Sequence, residues 1–371
     1  MCSHELGAAW PTGHVLTYLG AEQISEFLGD EPPFRTAQLL HAVYRTQAKS
    51  FEEITTLPVH LRNHLASRVK FTSIGEPQTE LSVDGTHKAL FRTPDGAAFE
   101  AVQLPSERGS STTVCLSSQA GCAMGCTFCS TGSVGFTRDL VAAEIVDQFL
   151  YFRRRSSRKR VPDRVVFMGM GEPLANLPNL YEAITTLLDP ERVGLGARRI
   201  TVSTIGLPAG IDRLARWGWK VGLAISLHAP DDAVRAQLVP LARSVPIADL
   251  MEASRTYQRL VGRRVSYEYT LIAGVNDSVR LAGRLAELVR GQRCHVNLIP
   301  FNPYPGTDYL GATRVALRAF RDKLRTAGIA TTIRRTRGRD ISGACGQLHA
   351  GVLDGSLGSA RNWTTGASDN T

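Results

Sequence analysis

Long apolar runs are missing from this chain of 371 residues. None approaches the roughly 20 residues that a membrane-spanning helix needs, so an integral membrane protein is not expected. The first residues, Met1-Cys-Ser-His-Glu-Leu, have no apolar stretch behind a basic start, which argues against a secretory signal. The seven cysteines are too unevenly spaced for a disulfide framework. Together these absences predict a cytoplasmic protein in a reducing compartment, with no membrane partner.

Acidic residues are also in deficit. The chain carries 43 Lys and Arg against 34 Asp and Glu, which gives a formal net charge of +9 at pH 7. Several of the cations stand in runs, and one run, Arg334-Arg335-x-Arg337-x-Arg339, lies just before Cys345. This excess favours a polyanionic partner such as nucleic acid. A generally basic, solvated surface would have the same composition.

Apolar periodicity divides the chain into four predicted parts. Residues 1–80 are expected to be helical, because Leu39, Leu40 and Val43 share one helical face and a second amphipathic stretch follows at 59–69. Residues 81–112 contain a β-hairpin signal, with strands at 88–91 and 98–104, and then a linker. The main α/β part is expected at 113–351, and a disordered tail rich in Gly, Ser, Thr and Asn at 352–371.

The main part alternates short apolar runs with helical stretches. Helices are predicted at positions that include 141–152 and 278–289, and strands at 113–116, 164–168, 200–202, 222–226, 267–272, 295–299 and 330–333. Repeated β-then-α units predict a parallel sheet or barrel. Six or seven units are fewer than the eight of a complete barrel. The expected fold is therefore α/β, with a partial barrel.

Polar or glycine-rich segments follow several of the predicted strands. Parallel strands bring functional groups together at their carboxyl ends, so these segments predict a single site at one edge of the sheet. The segments are 122–129, 169–173, 203–204, 226–228 and 300–303.

One of these segments contains Cys122, Cys126 and Cys129 in the pattern C-x3-C-x2-C. A cubane iron–sulfur cluster normally takes four thiolates, and no fourth cysteine follows closely. Three thiolates hold three irons and leave the fourth open to a small chelating ligand, which makes the cluster reactive. Zinc is the main alternative, but no second Cys or His pair lies at a suitable spacing. Buried structural cysteines are the other alternative.

The remaining polar residues near the predicted site have functional and structural interpretations. Gly171 and Glu172 belong to Gly-Met-Gly-Glu-Pro, which is not a dinucleotide fingerprint because its third glycine is missing. That loop fits either an amino-acid ammonium or ribose contact or a tight turn. Ser203 and Ser226 fit either a ligand contact or helix caps, and His228 has a similar ambiguity.

A choice between a functional and a structural role also applies to Asn302, Cys115, Cys345 and Glu100. Asn302 fits a base contact or a turn. Small residues flank Cys345 and leave its sulfur accessible, as a reactive thiol requires, whereas both Cys345 and Cys115 also fit small buried hydrophobic positions. Glu100 lies on the hairpin and fits either a proton acceptor or an ordinary solvated strand glutamate.

The motifs around these residues resemble those of the RlmN/Cfr family of radical S-adenosylmethionine (SAM) enzymes, which methylate adenine in ribosomal RNA. The resemblance covers about residues 15 to 350 and rests on the runs Cys115-Leu-Ser-Ser-Gln-Ala-Gly-Cys122, Phe128-Cys-Ser-Thr-Gly, Met168-Gly-Met-Gly-Glu-Pro-Leu, Ser226-Leu-His-Ala-Pro, Gly274-Val-Asn-Asp-Ser and Ala344-Cys-Gly-Gln-Leu. It implies a partial (β/α)6-type radical SAM barrel, with the N-terminal helical part as an accessory RNA-binding domain.

The resemblance also implies a role for each candidate residue. The cysteines of the C-x3-C-x2-C loop would ligate one [4Fe-4S] cluster, and the SAM-binding residues would be Gly171, Glu172, Ser203, Ser226, Leu227, His228 and Asn302. Cys345 would be methylated by one SAM, and a second SAM would be cleaved to start the radical reaction. Cys115 would be the partner of Cys345 in a transient disulfide, and Glu100 the proton acceptor.

Two choices stay open at this level. The run at 131–135 is similar to Cfr members, which methylate carbon 8 of adenine, and the run at 168–173 to RlmN members, which methylate carbon 2. The expected substrate is 23S rRNA, with transfer RNA as a possible additional one, and the expected reductant is a donor such as flavodoxin or ferredoxin. The alternative function is a basic RNA-binding protein with a structural or redox-sensing cluster.

Overall fold

The computed structural model describes residues 14–106, 111–157 and 161–349. The predicted tail at 352–371 and part of the predicted linker lie outside the described residues. The strands are β1 (His14–Val15), β2 (Val69–Lys70), β3 (Gln78–Leu81), β4 (His87–Arg92), β5 (Ala98–Pro105), β6 (Thr112–Cys115), β7 (Gln119–Gly121), β8 (Phe136–Asp139), β9 (Arg164–Phe167), β10 (Ile200–Thr204), β11 (Gly222–Ser226), β12 (Val265–Leu271), β13 (Cys294–Pro300) and β14 (Thr331–Ile333).

The α-helices of the described residues alternate with the later strands. They are α1 (Ala21–Leu28), α2 (Phe34–Tyr44), α3 (Val59–Arg68), α4 (Ser130–Val134), α5 (Ala142–Arg155), α6 (Leu177–Leu188), α7 (Pro208–Arg216), α8 (Asp232–Leu238), α9 (Ile247–Val261), α10 (Val279–Leu288) and α11 (Arg314–Thr326). Side-chain caps start several of them: the hydroxyl of Ser278 accepts from the Leu281 N–H at the start of α10.

The central element is one sheet of ten strands in the order β14-β13-β12-β11-β10-β9-β6-β5-β4-β3. The pairs from β6 to β14 are parallel, and helices connect successive strands. The predicted strand set of the main part is thus confirmed, as is the α/β fold with a partial barrel. Parallel strands covered by helices explain why their sequences read as nearly continuous apolar runs.

The predicted hairpin is present as β4 and β5, and its turn contains Gly96 at φ +83°. It does not stand apart from the main part. Strand β5 pairs antiparallel with β6, and β3 adds a further strand beyond β4, so the hairpin extends the same sheet. The sequence analysis did not predict β3, because Gln-Thr-Glu-Leu has little apolar character.

The N-terminal helices pack into the same apolar core as the sheet. Leu39, Val43 and Leu65 are almost fully buried within it. A polar contact fastens this region to α5, where the carboxylate of Asp147 accepts from the backbone N–H of Ser73 at 2.7 Å. The boundary of an accessory domain near residue 80 stays a prediction.

The parallel strands present two chemically different faces. Register pairs place Ser226, Glu268, Asn297 and Thr332 side by side on adjacent strands. Alternation sends the neighbouring apolar residues, such as Tyr267, to the opposite face, against the helices. The sheet therefore has one polar face beside the loops that follow its strands, and the site lies there.

Candidate active site

The three-cysteine loop lies between β7 and α4, at the carboxyl end of β6. All three thiols are free and partly buried, and they lie close enough to influence one another electrostatically. Burial raises the pKa of the Cys122 thiol to about 11 and that of Cys126 well above its usual value. Thiols in such surroundings become thiolates only when a strong positive charge such as a metal compensates.

Glycine shapes this loop at one close approach. Gly121 has φ +76°, and a Cβ atom added there would lie 2.0 Å from the carbonyl oxygen of Gly135. The same carbonyl accepts the backbone N–H of Cys122 at 2.7 Å. The loop entrance therefore depends on a position that only glycine fits.

A buried guanidinium stands beside the loop and fits an anionic group bound there. Arg235 is fully buried, influences Cys126 electrostatically, and its Nη1 has no hydrogen-bond partner within the described part of the chain. Among the described residues, no three His, Cys, Asp or Glu side chains converge as ligands of one metal ion. Thiolates around a cubane bind different irons and do not need to converge on one point. The donor set and the orphaned guanidinium N–H fit a cluster.

Apolar side chains surround the loop. Phe128, Val239 and Phe301 belong to a second buried cluster, separate from the main core, against which Cys126 and Cys129 pack. Water is thus kept from one side of the loop, which strengthens electrostatic interactions there.

Glu172 holds two strand ends together. Its carboxylate accepts from the backbone N–H of Leu174 at 3.0 Å and from that of Ile205 at 2.7 Å. Burial raises its pKa to about 7. The neighbouring Gly171 has φ +98°, and a Cβ there would lie 2.5 Å from the Cβ of Gln119. The carboxylate is therefore already occupied by protein backbone, and only glycine fits the close approach of Gly171 to Gln119.

His228 is strained and buried, with φ +58°. Its Nδ1 accepts from the backbone N–H of Thr270 at 3.1 Å, and its ring lies 4.4 Å from that of Phe128. Burial lowers its pKa to about 3, with Arg235 adding to the effect, so the ring is neutral. An acceptor at Nδ1 implies that the proton is on Nε2. His228 thus joins strand ends to the cysteine loop.

The other predicted SAM-binding residues lie at the same end of the sheet. Ser203 is the second-last residue of β10 and Ser226 the last residue of β11, and Leu227 is buried directly after β11. Asn302 is buried beyond β13, where its Nδ2 donates to the carbonyl of Cys345 at 3.3 Å and its Oδ1 accepts from Thr336. Asn302 is therefore linked directly to the Cys345 segment.

The Cys345 segment is bound to the cysteine loop and to α4. The backbone N–H of Ser130 donates to the carbonyl of Gly346 at 2.8 Å, and the hydroxyl of Thr131 donates to the carbonyl of Leu348 at 2.8 Å. A distant part of the chain is thus held beside the three-cysteine loop.

Cys115 and Cys345 line one cavity of about 120 Å³. Burial raises the pKa of the Cys115 thiol to about 12, with a further contribution from Cys345. Burial also raises the pKa of Cys345, although Arg334 opposes this with a hydrogen bond and its positive charge. Both thiols are largely protonated unless the arginine or a reaction partner stabilises the thiolate.

The sequence analysis treated Arg334 only as part of a basic run, and it did not single out Glu268 or Asn297. Arg334 lines the cavity, and its Nε lies 3.6 Å from a carboxylate oxygen of the buried Glu268. The other Glu268 oxygen accepts from Asn297 Nδ2 at 2.8 Å. A glutamate inside the apolar run Val-Ser-Tyr-Glu-Tyr-Thr-Leu was the available signal, because a charge in a buried strand needs a partner.

Glu100 is buried on β5 next to the cavity. Alternation puts it on the same face as Val102 and Leu104, which line the cavity. Its carboxylate lies 3.2 Å from Lys88 Nζ and accepts from the backbone N–H of His349 at 2.6 Å. Burial raises its pKa, with Lys88 opposing. The carboxyl group is thus a stronger base than an exposed one, and it is hydrogen-bonded to the segment that contains Cys345.

Three comparisons with known proteins agree with this arrangement. The sequence model of the Radical SAM superfamily matches residues 116–282. A protein of Thermus thermophilus named "Probable dual-specificity RNA methyltransferase RlmN" is 46% identical over 331 residues, which is 88% of this chain and 92% of that protein. A protein of the same name from Salinispora tropica is 44% identical over 357 residues, 92% of this chain and 94% of the relative.

Among solved structures, a radical SAM methyltransferase from Sphaerobacter thermophilus superposes with a TM-score of 0.88 and 45% sequence identity. The match covers 91% of this chain and 99% of that one. The α/β fold and the cysteine loop define a radical SAM enzyme, a class whose members use a [4Fe-4S] cluster and SAM. With relatives this similar along most of its length, the chain belongs to the RlmN family of RNA methyltransferases. No helix among the described residues is long and apolar enough to cross a membrane.

Proposed function

We propose that this enzyme methylates a ring carbon of adenine in 23S rRNA by way of a methyl group carried on Cys345. The observation that supports this most is the shared cavity of Cys345 and Cys115. A thiol that only transferred a methyl group would not require a second thiol facing it. Two thiols in one cavity fit a reaction in which the first becomes covalently attached to RNA and the second releases it.

The cysteines at positions 122, 126 and 129 would hold the cluster, and the strand ends around Gly171, Ser203 and Ser226 would bind SAM. When bound, the cluster and two molecules of SAM per turnover would supply the methyl group and the one-electron chemistry. The protein would position Cys345 Sγ beside them, through the bonds of its segment to Ser130 and Thr131. The apolar cluster around Phe128 would keep water out.

Cys115 Sγ would resolve the covalent intermediate. As a thiolate it would attack Cys345 Sγ, and the bond between that sulfur and the methylene carbon would break with its electron pair left on the carbon, which would take up a proton to become the methyl group. The result would be methyladenine and a Cys115–Cys345 disulfide. Glu100, with its raised pKa and its place beside the cavity, would take the proton that leaves the adenine carbon.

The relatives support finer statements about the substrate. They carry the name RlmN, and the resemblance assigns carbon 2 to RlmN members, so we infer carbon 2. Their name includes the term dual-specificity, which supports transfer RNA as a second substrate class. Residues 1–80 would contribute to RNA binding, the enzyme would act in the cytoplasm, and flavodoxin or ferredoxin would supply electrons.

The test is mass spectrometry of protein and RNA from one anaerobic reaction. Protein purified after expression with SAM available is expected to carry a methyl group on Cys345. Unmodified 23S rRNA incubated with reduced enzyme and SAM is expected to gain a methyl group on carbon 2 of an adenine. The same reaction is run separately with transfer RNA transcripts as the substrate.

Two outcomes would contradict the proposal. An unmodified Cys345 together with methylated RNA would require another methyl carrier. RNA binding with no SAM cleavage on reduction would support the alternative of an RNA-binding protein with a structural or redox-sensing cluster.

A further inference from the structure

A second polar cavity lies at the opposite end of the parallel strands. It has a volume of about 470 Å³, and its lining consists of Arg198, Gly262, Arg263, Arg264, Gln292, Arg293, Cys294, Gly328, Ile329 and Ala330. These residues stand just before β10, β12, β13 and β14 or at their first position. The active site lies at the other ends of the same strands. Because β12 has seven residues, the two ends are roughly 20 Å apart.

The charge of this cavity is uncompensated within the part of the chain that the structure describes. Four of its lining residues are arginines, and none is Asp or Glu. Burial lowers the pKa of Arg263, and the neighbouring charges of Arg198 and Arg264 lower it further. The Nη1 of Arg263 donates to the carbonyl of Lys220 at 2.9 Å, which holds its side chain in place. Like charges held together in this way favour an anion.

An independent observation also points to a ligand. The Nε2 amide nitrogen of Gln292 is buried and has no hydrogen-bond partner among the described residues. The Oε1 of the same side chain accepts from the hydroxyl of Tyr267 at 2.7 Å, which determines how the amide is oriented. A buried donor without an acceptor costs free energy. Gln292 lines the cavity, so a small shift of the residues that cover this nitrogen would let it donate to an anionic oxygen bound there.

We propose that this arginine cavity binds phosphate groups of the RNA substrate, as a second contact on the face opposite the active site. Arg198, Arg264 and Arg293 are exposed around it, and a wide cationic entrance fits an extended phosphodiester chain better than a small enclosed ion. The inference rests on the RNA substrate of the enzyme. It adds that nucleotides remote from the target adenine contribute to binding, so a short RNA containing the target alone would bind more weakly.

The first test compares two double variants with the same charge change. Arg263→Gln/Arg264→Gln removes charge from the cavity, and Arg213→Gln/Arg318→Gln removes it from exposed helix positions elsewhere. Binding of unmodified 23S rRNA is measured as a function of salt. The slope of log Kobs against log salt is negative, and its magnitude is expected to decrease by about 1 to 2 in the cavity variant and by less in the control. Equal slopes in both variants would overturn the inference.

The second test uses Gln292→Glu, which keeps the acceptor for Tyr267 and replaces the unpartnered donor with a negative charge. The arginines then gain an internal anion, so the Tm is expected to rise while RNA binding weakens. This opposite movement separates lost binding from lost folding. A lower Tm with unchanged RNA binding would contradict the proposal.

A small phosphate compound is the other ligand that offers phosphate oxygens to this cavity. Inorganic phosphate and ATP are therefore added separately in thermal-shift measurements. If either raises the Tm of the wild type but not of the cavity variant, and RNA binding is the same in both, the cavity binds a small phosphate ligand and the RNA proposal is wrong. RNA binding is measured separately from RNA methylation. A wild-type protein that binds RNA through the cavity but does not methylate it would refute the proposed function and leave this inference standing.

Discussion

Cys115 and Cys345 line the same cavity, but the protein holds them in different ways. Cys115 is a buried residue of β6, paired with β5 and β9 on either side. Cys345 is exposed as a residue, although protein atoms surround its sulfur, and it lies on a segment fastened by backbone hydrogen bonds to α4 and by Asn302. A strand residue cannot move without disrupting two ladders, whereas a loop residue can shift. The difference suits a fixed resolving thiol and an adjustable methyl carrier.

The electrostatic surroundings of the Cys115 and Cys345 thiols also differ. Burial dominates at both thiols, and the positive charge of Arg334 opposes it at each. The hydrogen bond from Arg334 is made to Cys345. Glu268 pairs with Arg334 and so weakens its effect. We therefore expect Cys345 to be the more easily ionised of the two thiols.

The largest effect is expected from Cys345→Ala, because it removes the proposed methyl carrier. Methylation of RNA should fall by about 10,000-fold or more, as for loss of other catalytic nucleophiles. The measurement is incorporation of labelled methyl into RNA and into protein. Cys2→Ala, which removes a cysteine that has no proposed role, serves as control and should keep activity. Substantial methylation by Cys345→Ala would disprove the carrier role.

Cys115→Ala should also stop turnover, but in a different way. Because the resolving thiol is missing, the variant should accumulate RNA covalently attached to the protein. Denaturing gel electrophoresis with labelled RNA detects the adduct. The double variant Cys115→Ala/Cys345→Ala should form none, and an adduct that persists in it would mean that another residue is attached to RNA.

A smaller effect is expected from Arg334→Gln. Loss of the nearby cation raises the pKa of Cys345, and each unit of increase lowers the thiolate fraction about tenfold below the pKa. In protein whose Cys345 carries no methyl group, alkylation of Cys345 by iodoacetamide at pH 8 should slow by about 3- to 10-fold.

The matched variant Glu268→Gln should have the opposite effect on alkylation, since it removes the carboxylate that pairs with Arg334. Arg334→Lys should lie between the wild type and Arg334→Gln. Slower alkylation in both Arg334→Gln and Glu268→Gln would indicate a change in packing instead of charge.

The smallest effect concerns stability and pH. Burial lowers the pKa of His228 from 6.5 to about 3, so below pH 6.5 the unfolded state binds a proton that the native state excludes. Stability should therefore fall as the pH falls from 6.5 towards 3. Between pH 6.5 and pH 5 this single group contributes a loss of about 1.5 to 2 kcal/mol.

His228→Asn is the comparison for that measurement, because Asn tolerates a positive φ and does not titrate. Urea unfolding at pH 6.5 and pH 5 should give a smaller loss of stability for the variant than for the wild type. Equal losses would mean that His228 is not buried in its neutral form.

Much of the fold could be predicted from local pattern. The parallel strands and the hairpin were predicted because apolar runs of suitable length alternate with helical stretches, and that signal depends only on near neighbours in the chain. The polar strand β3 was missed for the same reason, since its sequence carries no such signal. That β5 pairs with β6 is a long-range fact that a hairpin signal does not contain.

The site was predicted unevenly. The cysteine loop could be predicted as a cluster site because its three thiols are close in sequence. Arg334 and Asn297 look ordinary in their own segments, and the charge of Glu268 within an apolar strand does not by itself identify its partners. The three residues form a group only when β12, β13 and the chain after β14 become neighbours. Arg235 was missed likewise, since its burial and the unpartnered Nη1 among the described residues become apparent only in the folded protein.

The sequence by itself determined the α/β alternation, the three-thiol loop and the presence of a lone cysteine among small residues near the end of the main part, because residue type and short spacing contain that information. Only the tertiary structure decided that Cys345 faces Cys115 in one cavity, that a charged pair lies beside them, and that arginines gather at the opposite strand ends. Those facts depend on which distant segments the burial of apolar surface brings together, and local spacing does not encode that.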